Sequence, residues 1–196
     1  MTTSYTDIKR LFERRKNNPL YNTSYPLSPD DWAKYSTPGA LPFDTSKPIA
    51  FYIHIPFCKR ICSFCEYTKM CVPSKEKQRN YFNALINEIE QFVERYPATA
   101  LYGLDIGGGT PTSIDADIFA RFISWLSEFI SDKKVTPDFE PSIEGSFDTL
   151  VDDYFGAHKS SYIAKACIKR LSLGVQSTSN DVLKPLHRNA ISLKEM

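Results

Sequence analysis

At 196 residues and 22.4 kDa the chain is long enough to enclose a hydrophobic core, and 42% hydrophobic with 24% charged residues is the balance of a soluble globular protein. A net charge of +1 gives no field of one sign, so nothing electrostatic points to nucleic acid, an anionic membrane or a strongly charged partner. The polar start MTTSYTDIKRLFERRKNN lacks a signal-peptide apolar stretch, and no later run is long enough to span a bilayer, so a soluble cytoplasmic protein is expected.

Residues 1–47 read as an arm: a charged helical start (about 5–16), then a Pro- and Tyr-rich stretch carrying Tyr21, Tyr25, Trp32 and Tyr35 among turn formers. A domain over 48–196 follows. Ala50–Ile55 is a short β-rich run. Ser74–Tyr96 has helical periodicity, with Tyr81, Phe82, Leu85, Ile86, Ile89, Phe92 and Val93 on one face. Leu101–Ile106 is the next strand, and Ile114, Ile118, Phe119, Phe122, Ile123, Leu126 and Phe129 mark a second amphipathic helix. Phe139–Glu144 is a third strand, about 148–169 reads as mostly helical, Arg170–Gln176 is a fourth strand, and Asn180–Leu186 begins another helix. Alternation at these crossover lengths predicts an α/β fold with parallel strands, either a barrel or a doubly wound sheet.

Four of the five cysteines, Cys58, Cys62, Cys65 and Cys71, fall in one short stretch, which reads as metal binding rather than a disulfide framework. Cys167 sits in a helical pattern and reads as a small buried hydrophobe. The run CKRICSFC spaces three thiols as C-x3-C-x2-C directly after the first strand. Three thiolates on one loop can hold three corners of a cubane cluster and leave the fourth iron open. A zinc site would need a fourth ligand, Cys71 or His54, and the second pair usual for zinc is missing. The loop favours the cluster.

GGGTPT (Gly107–Thr112) follows the second strand. Its glycines let backbone N–H and C=O groups approach a ligand, and Thr112 or Ser113 is placed to cap the next helix. Glu144 and Gln176 close the third and fourth strands; either alone is a solvated side chain, and Arg188 alone is a surface charge. The two loops, Glu144 and Gln176 all fall at the C-terminal ends of successive strands, the face on which parallel α/β folds bind ligands.

YIHIPFCKRICSFC (Tyr52–Cys65), GGGTPT, SIEGSFD (Ser142–Asp148) and RLSLGVQSTSNDVLKPLHR (Arg170–Arg188) resemble, in order, motifs of the radical SAM superfamily and within it of the oxygen-independent coproporphyrinogen III oxidase-like proteins. TSYP (Thr23–Pro26) resembles part of the oxidases' N-terminal arm. The resemblance implies about four β/α units of a partial TIM-like barrel, preceded by an irregular arm. It implies that Cys58, Cys62 and Cys65 ligate a [4Fe–4S] cluster whose open iron takes S-adenosylmethionine (SAM). Phe64 would lie near the adenine and Gly108, Gly109 and Thr110 near the methionine end; Glu144, Gln176 and Arg188 would hold SAM. Tyr52 matches a tyrosine beside cluster and SAM and is the catalytic candidate. An electron donor such as flavodoxin or ferredoxin and a tetrapyrrole substrate are implied as partners.

Two departures qualify the resemblance. The oxidases resemble C-x3-C-x2-C-x-C, whereas Tyr67 stands two positions after Cys65 here. The family core has six units and a C-terminal domain, so the chain is expected to be an N-terminal portion of a larger protein or a truncated product. Radical methylation of another substrate, haem chaperoning and an inactive fragment are therefore alternatives to tetrapyrrole oxidation.

Overall fold

The computed structural model describes residues 44–188 apart from 45, 98, 152, 155 and 156; the charged start and the TSYP arm lie outside the described residues. Four strands build the main sheet: β1 (Ile49–Ile55), β4 (Leu101–Gly108), β5 (Ser142–Gly145) and β8 (Arg170–Leu173). Between them run two-residue strands β2 (Phe57–Cys58) and β3 (Met70–Cys71), the long helix α1 (Lys75–Arg95) and α2 (Ala116–Ser131). Short α3 (Phe147–Leu150), a hairpin of β6 (Asp153–Tyr154) and β7 (Ala157–His158), and α4 (Lys159–Lys165) lead into β8; α5 (Asn180–Leu183) follows it.

The sheet order is β1-β4-β5-β8, and every neighbouring pair is parallel. Strands join in chain order without reversal, so the described sheet lacks the switch point of a doubly wound fold. It winds in one direction, as a barrel wall does. Strand alternation gives the wall two unlike faces. Ile53, Ile55, Leu104, Ile106 and Ile143 are almost wholly buried in the core with Phe82 and Ile89 of α1 and Ile118, Phe119, Phe122 and Leu126 of α2. Phe82 meets Phe122 edge-on at 4.9 Å between ring centres, and Trp125 stacks on Phe129 at 5.2 Å. The opposite face is polar: Tyr52, Asp105, Ser142 and Arg170 are register partners in one row across all four strands. Asp105 accepts from the Ser142 hydroxyl and from Arg170 Nη2, the latter at 3.3 Å.

Two helix starts are tied by one buried side chain. Gln78 is 2% exposed; its Nε2 donates to Pro73 O (2.9 Å) and Asp115 Oδ2 (3.2 Å), and its Oε1 accepts from Asp115 N (2.9 Å). Asp115 is the residue that caps α2, so the expectation of a Thr112 or Ser113 cap is corrected. Pro111 instead opens a 3₁₀ turn over Pro111–Ser113, which spends both hydroxyls on other loops.

Three other expectations change. The third strand begins at Ser142 rather than Phe139, because Pro141 has no N–H for the ladder; its carbonyl accepts from Lys169 N at 2.8 Å. The fourth strand ends at Leu173; one more bond, Gly174 N to Gly145 O at 3.2 Å, precedes Gln176, whose left-handed backbone (φ 60°) is no longer extended. The stretch from about 148 is not mostly helical: the β6–β7 hairpin interrupts it, and Tyr154, Phe155 and Gly156 are weak helix formers. Cys167 is half-buried against the core, in line with its reading as a small hydrophobe, and burial pushes its thiol up.

Replacing Gln78 by Ala leaves the Asp115 amide without its partner. The variant is expected to lose about 2 kcal/mol in urea unfolding at unchanged m-value. In the first turn of α2, burial raises the Asp117 carboxyl, but Lys75 Nζ at 2.7 Å and the turn's amides outweigh it and hold the group below its ordinary 3.8. A lowered folded value means the pair's stabilisation is complete above 3.8 and is lost as pH falls through that lowered value. Asp117→Asn is expected to cost about 0.5–1 kcal/mol at neutral pH, shrinking toward zero in strong acid, as read from melts across pH.

Candidate functional site

The seam between the first two sheet strands continues past their ends. Gly109 N donates to Ile55 O (2.9 Å) and Thr110 N to Phe57 O (2.8 Å), so the glycine loop lies directly along the chain that delivers Cys58. Two glycines are required by that approach. A Cβ on Gly109 would stand 2.7 Å from the Pro56 carbonyl carbon, and Gly108 adopts φ 115° with the His54 ring 2.7 Å from its Cβ position. His54 is fixed in turn, Nε2 on Thr68 O at 2.9 Å and its carbonyl on the Tyr81 hydroxyl at 2.5 Å. Ser113 Oγ shares its hydrogen between Phe57 O (2.8 Å) and Thr110 O (2.7 Å). Lys69 closes the cysteine loop from its far end, donating to Cys65 O (2.5 Å) and Tyr67 O (3.1 Å).

These loops wall a cavity of about 580 Å³, within the usual range for small-molecule sites. Cys58, Cys62, Phe64, Cys65, Gly108, Gly109, Thr110, Glu144, Gln176 and Arg188 all line it. Tyr52 does not line it. Both Tyr52 Oη and Glu144 Oε2 come within 2.8 Å of the point where a Gly107 Cβ would stand. Partial burial, then the charge of Glu144, keeps the Tyr52 phenol protonated to higher pH than usual. The group is therefore a hydrogen-bond donor at neutral pH.

Cys58 is almost wholly buried, which pushes its thiol up, while the Thr110 hydroxyl 3.6 Å from Sγ opposes that shift. Arg188 joins two walls: Nε reaches Cys62 Sγ at 3.3 Å and Nη1 donates to Gly174 O at 2.5 Å. Its sequence reading as a surface charge is thus replaced by a part-buried bridge. Gln176 (φ 60°) and His187 (φ 56°), both in the lining, adopt left-handed backbone that costs non-glycine residues about 1 kcal/mol or more. Such strain persists where surrounding structure fixes it.

The donors suit a multi-iron group better than one ion. The two sequence candidates for a fourth zinc ligand, His54 and Cys71, are absent from the cavity lining. Three thiols in one cavity, with the glycine backbone beside Cys58 and an acid also in the lining, fit a cluster with one iron left for a chelating ligand. Sequence reasoning missed Lys59, Arg60, Lys69, Asp148 and His187, which also line the cavity. Lys59 and Arg60 were legible as neighbours of the ligating cysteines, and Asp148 and His187 as members of the SIEGSFD and LKPLHR runs; Lys69 carried no signal of its own.

The sequence model of the Radical SAM superfamily matches residues 52–195, and the chain belongs to that superfamily. Its relatives there include the heme chaperone HemW of Bacillus subtilis, 31% identical over 137 residues, covering 70% of this chain and 34% of that protein. The oxygen-independent coproporphyrinogen III oxidase of Escherichia coli is 27% identical over 188 residues, covering 93% and 38%. Among solved structures, coproporphyrinogen III oxidase (HemN) from Escherichia coli, described as a radical SAM enzyme, superposes with TM-score 0.58 at 28% identity over 74% of this chain and 31% of that one. The chain thus spans little more than a third of the length of these relatives. Among the described residues no helix is long and apolar enough to cross a membrane.

Gly109→Ala tests the seam. The added methyl must displace Pro56 backbone, and a loss of about 1–3 kcal/mol in denaturant unfolding is expected. Gly103→Ala, whose Cβ meets only the Ala50 methyl at 3.2 Å, is expected to cost less.

Proposed function

We propose that the chain binds a [4Fe–4S] cluster through Cys58, Cys62 and Cys65 and binds SAM beside it. The observation that carries this reading is the convergence of three thiols, the glycine loop, Glu144, Gln176 and Arg188 on one cavity. Held by these three thiolates, a cluster reduced by an external one-electron donor would supply the electron for reductive cleavage of SAM to methionine and a 5′-deoxyadenosyl radical able to take hydrogen from a substrate. The chain's own residues supply binding and orientation. Arg188, already beside Cys62, presents a fixed cation to a carboxylate. Exposed N–H and C=O groups of Gly108–Thr110 take polar groups of the amino-acid end, and Phe64, 46% exposed in the lining, offers an aromatic face for the adenine. Glu144 suits ribose hydroxyls, and the protonated Tyr52 phenol lies near it.

For the substrate, relatives named coproporphyrinogen III oxidase support a tetrapyrrole, converted by oxidation of its side chains. An acidic electron donor of flavodoxin or ferredoxin type fits the exposed basic pair at Lys59 and Arg60. A second reading is non-enzymatic haem transfer. Relatives named heme chaperone favour it, as does Tyr67, 59% exposed in the cavity wall where the oxidase pattern has a further cysteine.

Anaerobic reconstitution should incorporate about four irons per chain with cluster absorbance. Addition of a reductant and SAM should yield 5′-deoxyadenosine. Cys62→Ala is expected to lose both signals. Iron uptake that survives Cys62→Ala unchanged would sink the ligand assignment. Consumption of coproporphyrinogen III by the reconstituted protein selects the oxidase reading; stable haem binding without 5′-deoxyadenosine selects the chaperone.

A further inference from the structure

One buried charge lies outside every role assigned so far. Lys159, the first residue of α4, is completely buried. Its Nζ donates to Thr112 O at 2.7 Å and Ile114 O at 2.5 Å and stands 5.8 Å from the centre of the Phe119 ring. An ammonium so placed is costly unless strongly hydrogen bonded. The two carbonyls precede the first helical acceptor of α2, Asp115 O, which takes Phe119 N at 2.9 Å. They therefore belong to the turn leaving the glycine loop, where the helix ladder offers them no partner.

That turn touches two other cavity segments, the cysteine strand and the loop after Glu144. Ser113 holds Phe57 O, one residue before Cys58. Thr112 Oγ1 meets Thr149 Oγ1 at 2.5 Å and accepts from Ser146 N at 3.3 Å, which fixes the loop after Glu144. Gly145 approaches it so closely that a Cβ there would stand 2.9 Å from Thr112 Oγ1. Thr110, at the start of the turn, reaches Cys58 Sγ. Lys159 contacts no cavity surface; it holds the junction from the helix side.

We propose that Lys159 is a positioning residue for SAM recognition, setting the backbone of Gly108–Thr110 and, through Thr112, the loop that carries Glu144. This rests on the SAM reading above. An apolar side chain could fill the same space, but it would release two carbonyls and let the turn shift relative to the cysteine strand. Shifts of about 1 Å at a binding constellation are enough to weaken it severely.

The test compares wild type with Lys159→Met, Lys159→Gln and Lys159→Arg in the full chain. Two readouts are used: SAM affinity of the reconstituted protein, and amide hydrogen exchange over residues 108–113 in cluster-free protein. Iron content and overall fold are expected to hold. In Lys159→Met the SAM Kd should rise about tenfold and the 108–113 amides should exchange faster by a similar factor; Arg should stay within about threefold of wild type and Gln fall between. Unchanged Kd and exchange in folded Lys159→Met would overturn the proposal. If the Met variant does not fold, Gln decides: a Gln variant equal to wild type in both readouts overturns it as well. Wild type that fails to bind SAM refutes the SAM reading instead, and the exchange comparison still judges the clamp.

Discussion

The site depends on the backbone seam between β1 and β4. Parallel pairing runs in register from Ala50↔Gly103 to Ile55↔Gly108, then continues through Gly109 N and Thr110 N onto Ile55 and Phe57 carbonyls. Two loops of different chemistry are thereby locked edge to edge: one carries thiols, the other bare peptide groups. The lock admits no side chain at Gly109 and demands left-handed backbone at Gly108. Everything that could hold a metal-bound ligand is positioned relative to this seam.

Around it the fold separates two environments. On the helix side, Ile53, Ile55, Leu104, Ile106 and Ile143 supply an apolar core whose burial is the main favourable term. On the other side, the Tyr52–Asp105–Ser142–Arg170 row is polar on a kind of sheet usually apolar on both faces. A hydrogen-bonded polar face of this sort suits a lumen filled by water or ligand rather than by packed side chains. The residues at its C-terminal rim are those of the cavity.

Much of the fold was legible because period and composition are local. The apolar stripes of α1 and α2 and the four short runs β1, β4, β5 and β8 identified the parallel α/β class, and C-x3-C-x2-C with GGGTPT identified the superfamily. What failed to show was decided at junctions. Pro141 delays β5, β8 stops at Leu173 shortly before the left-handed Gln176, and the β6–β7 pairing interrupts a helical stretch; each is a backbone matter that periodicity does not report. The Asp115 cap depends on Gln78, a residue 37 positions away.

The cysteine spacing, the glycine run and the acid at the end of β5 were thus set by sequence alone, since each is a local pattern whose chemistry follows from residue type. Only tertiary structure decided that Arg188 bridges Cys62 to Gly174 across 126 and 14 positions, that Tyr52 stays out of the cavity lining, and that Lys159 is buried under the glycine turn. Motif resemblance could nominate Arg188 and Tyr52 for the site, but no local pattern states what either touches, and Lys159 carried no signal. Their burial and their partners are set by long-range contacts that exist only once the sheet has brought the loops together.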